Sequence, residues 1–285
     1  MVWLSPRSDR GAGEYRTMTP ALPPLITLTT DFGTQDWFVG TMKGVILRIC
    51  PGVQIVDITH GIPPGDIRSA AFALASSCRY FPPGAIHVVV VDPGVGTRRA
   101  ALAIETDQYV FVGPDNGVLA PALDRVRKIH RLENVEYFLK PVSRTFHGRD
   151  VFAPCAAHLA RGVSIGEFGP ASADYEKITV PAPLREENRW VGEVLYIDQF
   201  GNAITNLSEA LPVFQNARQA RVSLIGRPGE IRLADAYQAA AEGEPVAVLG
   251  STGYLEIAVN GGSAAQVLAV KRGDVVFVRD EDQRR

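Results

Sequence analysis

Between residues 25 and 161 the apolar positions switch repeatedly between two periods. Residues 25–30, Leu-Ile-Thr-Leu-Thr-Thr, are rich in β-branched side chains and run into Asp31-Phe32-Gly33, which predicts a strand ending in a turn. Residues 38–49 carry apolar side chains at helical spacing until Pro51-Gly52 stops them, and residues 53–58 read as a second strand. A helix is predicted over 67–80, with Asp66 as its N-cap and Pro82-Pro83-Gly84 after its end. Residues 86–91 are almost continuously apolar, as in a strand buried on both faces. Further strands are predicted at 101–104, 109–112 and 128–132, and a helix at 151–161 in which Pro154 falls in the tolerant first turn. Strands alternating with helices predict an α/β fold, a mainly parallel sheet with helices on both sides.

After Pro170 the rhythm changes. Pro181, Pro183 and the charged Arg185-Glu186-Glu187 read as a linker. Beyond it come short strand-like runs at 191–197, 221–225, 246–249, 255–259, 266–270 and 275–278, many separated by glycines and charged turns. Ala-rich residues 234–241 are the one helix expected there. This half reads as an all-β, barrel-like C-terminal domain. The expected organisation is an α/β domain over 23–178 and a β domain over 190–285. Residues 1–22 have no apolar run and are expected to be a disordered extension, or an over-long start with Met18 as the initiator.

Composition narrows the partners. Hydrophobic residues make up 46% and charged residues 21% of the 285-residue chain, ordinary proportions for a globular protein. The formal net charge of -2 and the absence of single-sign runs speak against a nucleic-acid or membrane partner. No segment approaches the roughly 18 apolar residues of a membrane span. Cys50, Cys78 and Cys155 are widely spaced without a CxxC, and read as reduced thiols of a cytoplasmic protein.

Several familiar sites are missing. No GxGxxG follows the first strand, and neither GxxxxGK[ST] nor HExxH occurs. The single GxSxG, Gly162 to Gly166, follows a predicted helix instead of a strand, so it reads as a loop. Polar residues at predicted strand ends remain, where open α/β sheets bind ligands. Asp31, with Asp36 shortly after, suits ribose hydroxyls and suits a plain turn equally well. Asp92, in Asp92-Pro93-Gly94-Val95-Gly96, leaves the most apolar strand among glycines that admit close approach, though a tight turn would need the same residues. His147, in Phe146-His147-Gly148-Arg149-Asp150, stands at a helix entrance, with His60 of Asp57-Ile58-Thr59-His60 as its main competitor. In the second half, Asp198-Gln199-Phe200-Gly201-Asn202 and Gly250-Ser251-Thr252-Gly253-Tyr254 offer an amide suited to an adenine edge, and also ordinary hairpin chemistry.

Taken in order with Gly113-Pro114-Asp115-Asn116-Gly117 and Tyr254-Leu255-Glu256-Ile257-Ala258-Val259-Asn260, these segments resemble the S-adenosylmethionine (SAM) hydrolase, or SAM hydroxide adenosyltransferase, family, whose relatives include the fluorinase and chlorinase. The likeness runs from about Leu25 to near Val278. It implies hydrolysis of SAM to adenosine and methionine, with Asp92, Arg99 and His147 acting on a water molecule. It further implies Asp31 on the ribose, Asp198 on the ammonium, Asn202 on the adenine and Ser251 on the carboxylate. Asp36, Asp115, Asn116, Tyr254 and Glu256 join the implied substrate contacts. Halogenases carry Tyr at the position of Asp92, and the fluorinase has Trp at that of Gly65, so water is the implied nucleophile. The resemblance also implies a homotrimer with sites at subunit interfaces, and neither metal nor cofactor. A SAM-dependent halogenase and a non-catalytic SAM or adenosine sensor are the alternatives.

Overall fold

The computed structural model describes residues 23–215 and 220–280; the predicted N-terminal extension lies outside the described residues. The first half is a six-stranded sheet built from β1 (Leu25–Thr30), β2 (Gln54–Thr59), β3 (Ile86–Val90), β4 (Ala101–Glu105), β5 (Val110–Pro114) and β6 (Lys128–Arg131). Their order across the sheet is β2-β1-β3-β5-β4-β6. Strands β2, β1, β3 and β5 are parallel, while β4 runs against both its neighbours. Helices α1 (Phe38–Ile49) and α3 (Ala153–Ala160) cover one face, and α2 (Ile67–Ser77) covers the other.

The two faces follow from alternation along β3. Val88 and Val90 join Ile26, Leu28, Met42, Ile46 and Phe152 in one core, whereas Val89 and Val91 join Leu74, Leu102 and Phe111 in the other. That is why residues 86–91 lack polar interruptions, His87 excepted. His87 is fully buried, its Nδ1 2.7 Å from the Thr27 hydroxyl, and burial pushes its pKa down to about 4. Asp66 caps α2 by accepting from the Ser69 amide at 3.0 Å, as the sequence predicts. The helix expected at 151–161 opens with a π-helical turn, Gly148–Phe152, before α3 begins. Such turns re-aim side chains, and this one carries the residues just after His147. The Gly162–Gly166 segment is a loop after α3.

The free edge of β6 is closed by the chain as it leaves the sheet. Residue Ala171 bridges His130, the Arg131 amide donates to the Pro170 carbonyl at 2.9 Å, and the Ser172 amide donates to the Ile129 carbonyl at 2.8 Å.

The second half contains β7 (Leu184–Glu186), β8 (Arg189–Ile197), β9 (Ala203–Ser208), β10 (Ala220–Leu224), β11 (Ile231–Ala234), β12 (Pro245–Leu249), β13 (Tyr254–Val259) and β14 (Val275–Asp280). Pairing runs β14-β10-β11-β12-β13-β9-β8, and β8 pairs back onto β14, which closes a seven-stranded barrel. Strand β7 adds a short hairpin onto β8. Val194, Leu207, Val222, Leu233, Leu255, Ile257 and Val276 fill the interior.

Two expectations here are corrected. Residues 234–241 are not a helix: Ile231 and Leu233 enter the barrel wall as β11, and only a single 3-10 turn, Tyr237–Ala239, follows. Alanine-rich composition favoured the helix, and tertiary packing overrode it. Residues 266–270 are not a strand, because Ser263 caps the short helix α4 (Ala264–Val267), accepting from Gln266. Strand β9 was unforeseen because Thr205 and Asn206 break its apolar pattern. Both are buried and bonded, Thr205 to the Leu255 carbonyl at 2.9 Å and Asn206 to the Pro181 carbonyl at 2.7 Å.

Candidate active site

Strand order reverses between β1 and β3, because β2 lies on one side of β1 and β3 on the other. Open α/β sheets leave a crevice at such a point, beyond the carboxyl ends of the strands. A cavity of about 300 Å³ lies there, lined by Asp31, Phe32, Gly65, Asp92, Pro93, Thr145, Phe146 and His147 among others. Asp31 follows β1 and Asp92 follows β3. Since β4 is antiparallel, its beginning lies at the same end of the sheet and brings Arg99 there as well.

Asp92 and Arg99 form a tightly closed pair, with side chains only 4% and 11% exposed. The Arg99 Nε donates to both Asp92 oxygens at 2.9 Å, and Nη2 donates to Oδ2. Arg99 Nη2 also lies 2.9 Å from His147 Nδ1. A guanidinium has no acceptor, so Nδ1 must accept and the ring proton resides on Nε2. His147 is therefore neutral, and burial together with the Arg99 charge holds its pKa below the usual histidine value. With Nδ1 occupied, Nε2–H is the group His147 offers to the cavity. The Arg99 guanidinium carbon also sits 5.3 Å from the Phe152 ring centre, which fixes it from behind.

Asp31 is held by the Gly65 amide, which donates to its Oδ2 at 2.8 Å. Gly65 has φ +72°, a left-handed conformation that side chains rarely adopt, and it lines the cavity directly. A bulky residue there would be strained and would fill the space beside Asp31. Asp150, fully buried, is committed to Arg149 (2.6 Å) and to the Ser143 amide (2.8 Å), so it holds the loop before His147.

The barrel carries a second polar cluster. Asp198 accepts from the amides of Phe200 and Asn202 at 2.9 and 2.8 Å, and from Asn202 Nδ2 at 3.0 Å. Tyr237 donates to Glu256 at 2.8 Å. Burial, followed by the Asp198 charge, raises the Glu256 pKa, and burial with the Glu256 bond pushes Tyr237 up to about 12. Tyr237 was not foreseen, since its surroundings read as a helix.

None of these barrel residues lines the cavity around Asp31, Asp92 and His147. Asp198 borders a groove with Thr59, Asp66, Lys271 and Arg272, and Tyr254 borders a crevice with Phe72 and Arg68. Ser251 is exposed on the loop before β13. Three residues of the α/β half are likewise not brought to the cavity. Asp36 is exposed, Asp115 accepts from the Glu176 amide at 2.7 Å, and Asn116 donates to the Val91 carbonyl at 2.9 Å. Asp115 and Asn116 thus tie loops to the sheet. Among the described residues no group of three or more His, Cys, Asp or Glu side chains is arranged to hold a metal ion.

The sequence pattern of the SAM hydroxide adenosyltransferase N-terminal domain matches residues 26–169, and that of the C-terminal domain matches residues 192–277. The chain belongs to this family. Among SAM hydroxide adenosyltransferase relatives, the (R)-S-adenosyl-L-methionine hydrolase of Salinispora tropica is 42% identical over 88% of this chain and 96% of its own length. A fluorinase of Actinoplanes sp. is 30% identical over 90% of this chain and 97% of its own length. A crystal structure of an uncharacterized conserved protein from Thermotoga maritima superposes with a TM-score of 0.83 at 39% identity, covering 90% of this chain and 99% of that one.

Proposed function

We propose that this protein is an enzyme that hydrolyses SAM to adenosine and L-methionine by attack of water or hydroxide at the 5′ carbon. The observation that carries the reading is the Asp92–Arg99–His147 line at the β1/β3 crevice, with His147 Nε2–H on the cavity side. SAM carries a positive sulfonium, so methionine leaves as a neutral thioether and needs neither an acid catalyst nor a cofactor. The difficulty lies in the nucleophile, since bulk water has a pKa of about 15.7. Arg99 does not itself line the cavity; held behind Asp92 and His147, its charge favours hydroxide character in a cavity water through its field, and His147 Nε2–H donates to that oxygen and aims it. With His147 Nδ1 already accepting from Arg99, Asp92 is the member of the line with free lone pairs to take the proton. Asp31 accepts from the ribose hydroxyls.

Asp92 and Gly65 favour water over halide. A halogenase would release 5′-chloro-adenosine from SAM and chloride, whereas this enzyme releases adenosine. Chromatography of SAM after incubation with the pure protein, with and without chloride, tests the point: adenosine and methionine are expected in equal amounts. A chlorinated product would overturn the hydrolase reading, and tight binding without release of methionine would make the protein a sensor. The name of the Salinispora tropica relative specifies the (R) epimer at sulfur. Separate incubation of the two epimers is expected to show consumption of the (R) form.

The barrel cluster serves the same reaction from a neighbouring subunit in a homotrimer. In support, Asp198, Asn202, Ser251 and Glu256 line no part of the cavity that holds Asp31 and His147 in one chain. Light scattering is expected to give three times the chain mass. The three cysteines are free and buried, which suits a cytoplasmic enzyme. Among the described residues no helix is long and apolar enough to cross a membrane.

A further inference from the structure

The Asp57-Ile58-Thr59-His60 segment takes no part in the chemistry above, yet His60 is buried at the same end of the sheet. Its placement starts with an irregularity between β1 and β2. Leu28 pairs with Asp57 but Thr29 pairs with Thr59, so one residue of β2 is skipped. Such a bulge changes which residue faces its neighbour, and here it sets His60 beside Thr30, the last residue of β1. His60 Nδ1 lies 2.8 Å from the Thr30 hydroxyl. The same hydroxyl accepts from the Phe32 amide at 3.2 Å, and the His60 carbonyl accepts from the Gly33 amide at 2.8 Å. The turn that presents Asp31 is therefore gripped on both flanks by one residue.

The far side of the ring faces a carboxylate. Buried His60 Nε2 lies 3.1 Å from Asp57 Oδ1, within ion-pair range but without the alignment of a hydrogen bond, and Lys43 of α1 donates to Asp57 Oδ2 at 2.5 Å. Burial opposes ionisation of Asp57, but Lys43 and His60 outweigh it and hold its pKa below the ordinary value. A carboxylate only accepts, so it favours the ring proton on Nε2. That leaves Nδ1 to accept from the Thr30 hydroxyl. Directly after His60 comes the loop ending at Gly65, whose amide holds the Asp31 carboxylate. Segment 60–65 thus fixes both the turn and the carboxylate.

We infer that His60 is a positioning residue for ribose recognition: through Thr30 and the Gly33 amide it sets the Asp31 carboxylate for the ribose hydroxyls. The inference rests on the proposed role of Asp31 but not on turnover. It touches neither the reacting carbon nor the water, so its loss weakens binding and spares the chemical step.

The test compares adenosine with 2′,3′-dideoxyadenosine by calorimetry on the full chain, alongside SAM kinetics. Wild-type protein is expected to bind adenosine at least about tenfold more tightly than the dideoxy compound, the scale of a charge-assisted bond. His60→Ala and the isosteric Thr30→Val are expected to shrink that preference to about twofold and to raise KM for SAM about tenfold, with kcat nearly unchanged. His60→Asn, whose Oδ1 replaces Nδ1 as acceptor, is expected to keep the preference. A general loss of structure would lower binding of both nucleosides together. Unchanged preference in His60→Ala or, should that variant not fold, in Thr30→Val overturns the inference; so does wild-type protein that binds both nucleosides equally. Wild-type protein that prefers adenosine yet releases no methionine from SAM overturns the hydrolase reading alone.

Discussion

The two polar clusters of this molecule balance their charges in opposite ways. At the end of the α/β sheet, buried Asp92 is neutralised by Arg99, and the surplus donor capacity of the guanidinium passes to a neutral His147. In the barrel, Asp198 and Glu256 have no cationic side chain within ion-pair distance among the described residues, and Asp198 is met only by amides. A self-neutralised cluster can present a polarised water to a reacting carbon without needing ligand charge. Carboxylates without an ion-pair partner suit a cation brought from outside, as the ammonium of SAM would supply. On the proposed reading, the contrast places the chemistry and the ribose contact in the α/β half and leaves the barrel to the charged end of the substrate.

The division can be broken most forcefully at Arg99. Arg99→Ala is expected to lower kcat by about 10²–10³, the usual scale for removing a preorganised charge at a developing oxyanion. Asp92→Asn provides a second measurement should the unpaired Asp92 prevent folding. A double variant no worse than the worse single one would mark the pair as one unit.

Acid separates the halves next. Unfolded His87 takes a proton near 6.5, whereas in the folded sheet it does so only near 4. Between those values the unfolded chain binds more protons, so stability falls as pH falls through that window, by about 3 kcal/mol in all. Urea titrations at several pH values should show this slope, and His87→Phe should flatten it. Asp198→Asn is expected to raise KM for SAM roughly tenfold while kcat changes little, the signature of lost recognition. Equal losses in kcat and kcat/KM would instead place Asp198 in the chemical step. The smallest effect concerns Glu256, whose raised pKa has the opposite sign to His87. The folded barrel binds a proton there above the ordinary value of 4.5, so ionised Glu256 weakens the barrel at neutral pH. Glu256→Gln should therefore raise the melting temperature slightly at pH 7 and not at low pH.

Most of the α/β half was legible because its strands and helices each follow one period, and residues 86–91 show a doubly buried strand without ambiguity. The barrel was less so. Thr205 and Asn206 satisfy their polar groups through Leu255 and Pro181, partners remote in sequence, and Ala234 to Ala241 carry a helical composition into the end of a strand and a single 3-10 turn. Within the site, strand ends pointed to Asp31 and Asp92 and a helix entrance to His147, but nothing local showed that Asn116 would be tied to Val91 or Asp115 to Glu176. Those bonds depend on where loops meet. The proton position on His147 was likewise out of reach, since it follows from contact with a residue 48 positions away.

The strip formed by Pro170, Ala171 and Ser172 along β6 has a practical corollary. The segment that leads out of the sheet also insulates its last open edge. A fragment of the α/β half ending near residue 165 would bare a row of unpaired amides and carbonyls, inviting edge-to-edge aggregation. One extended past Ser172 would carry its own cover. Where such a fragment is cut should therefore decide whether it stays in solution.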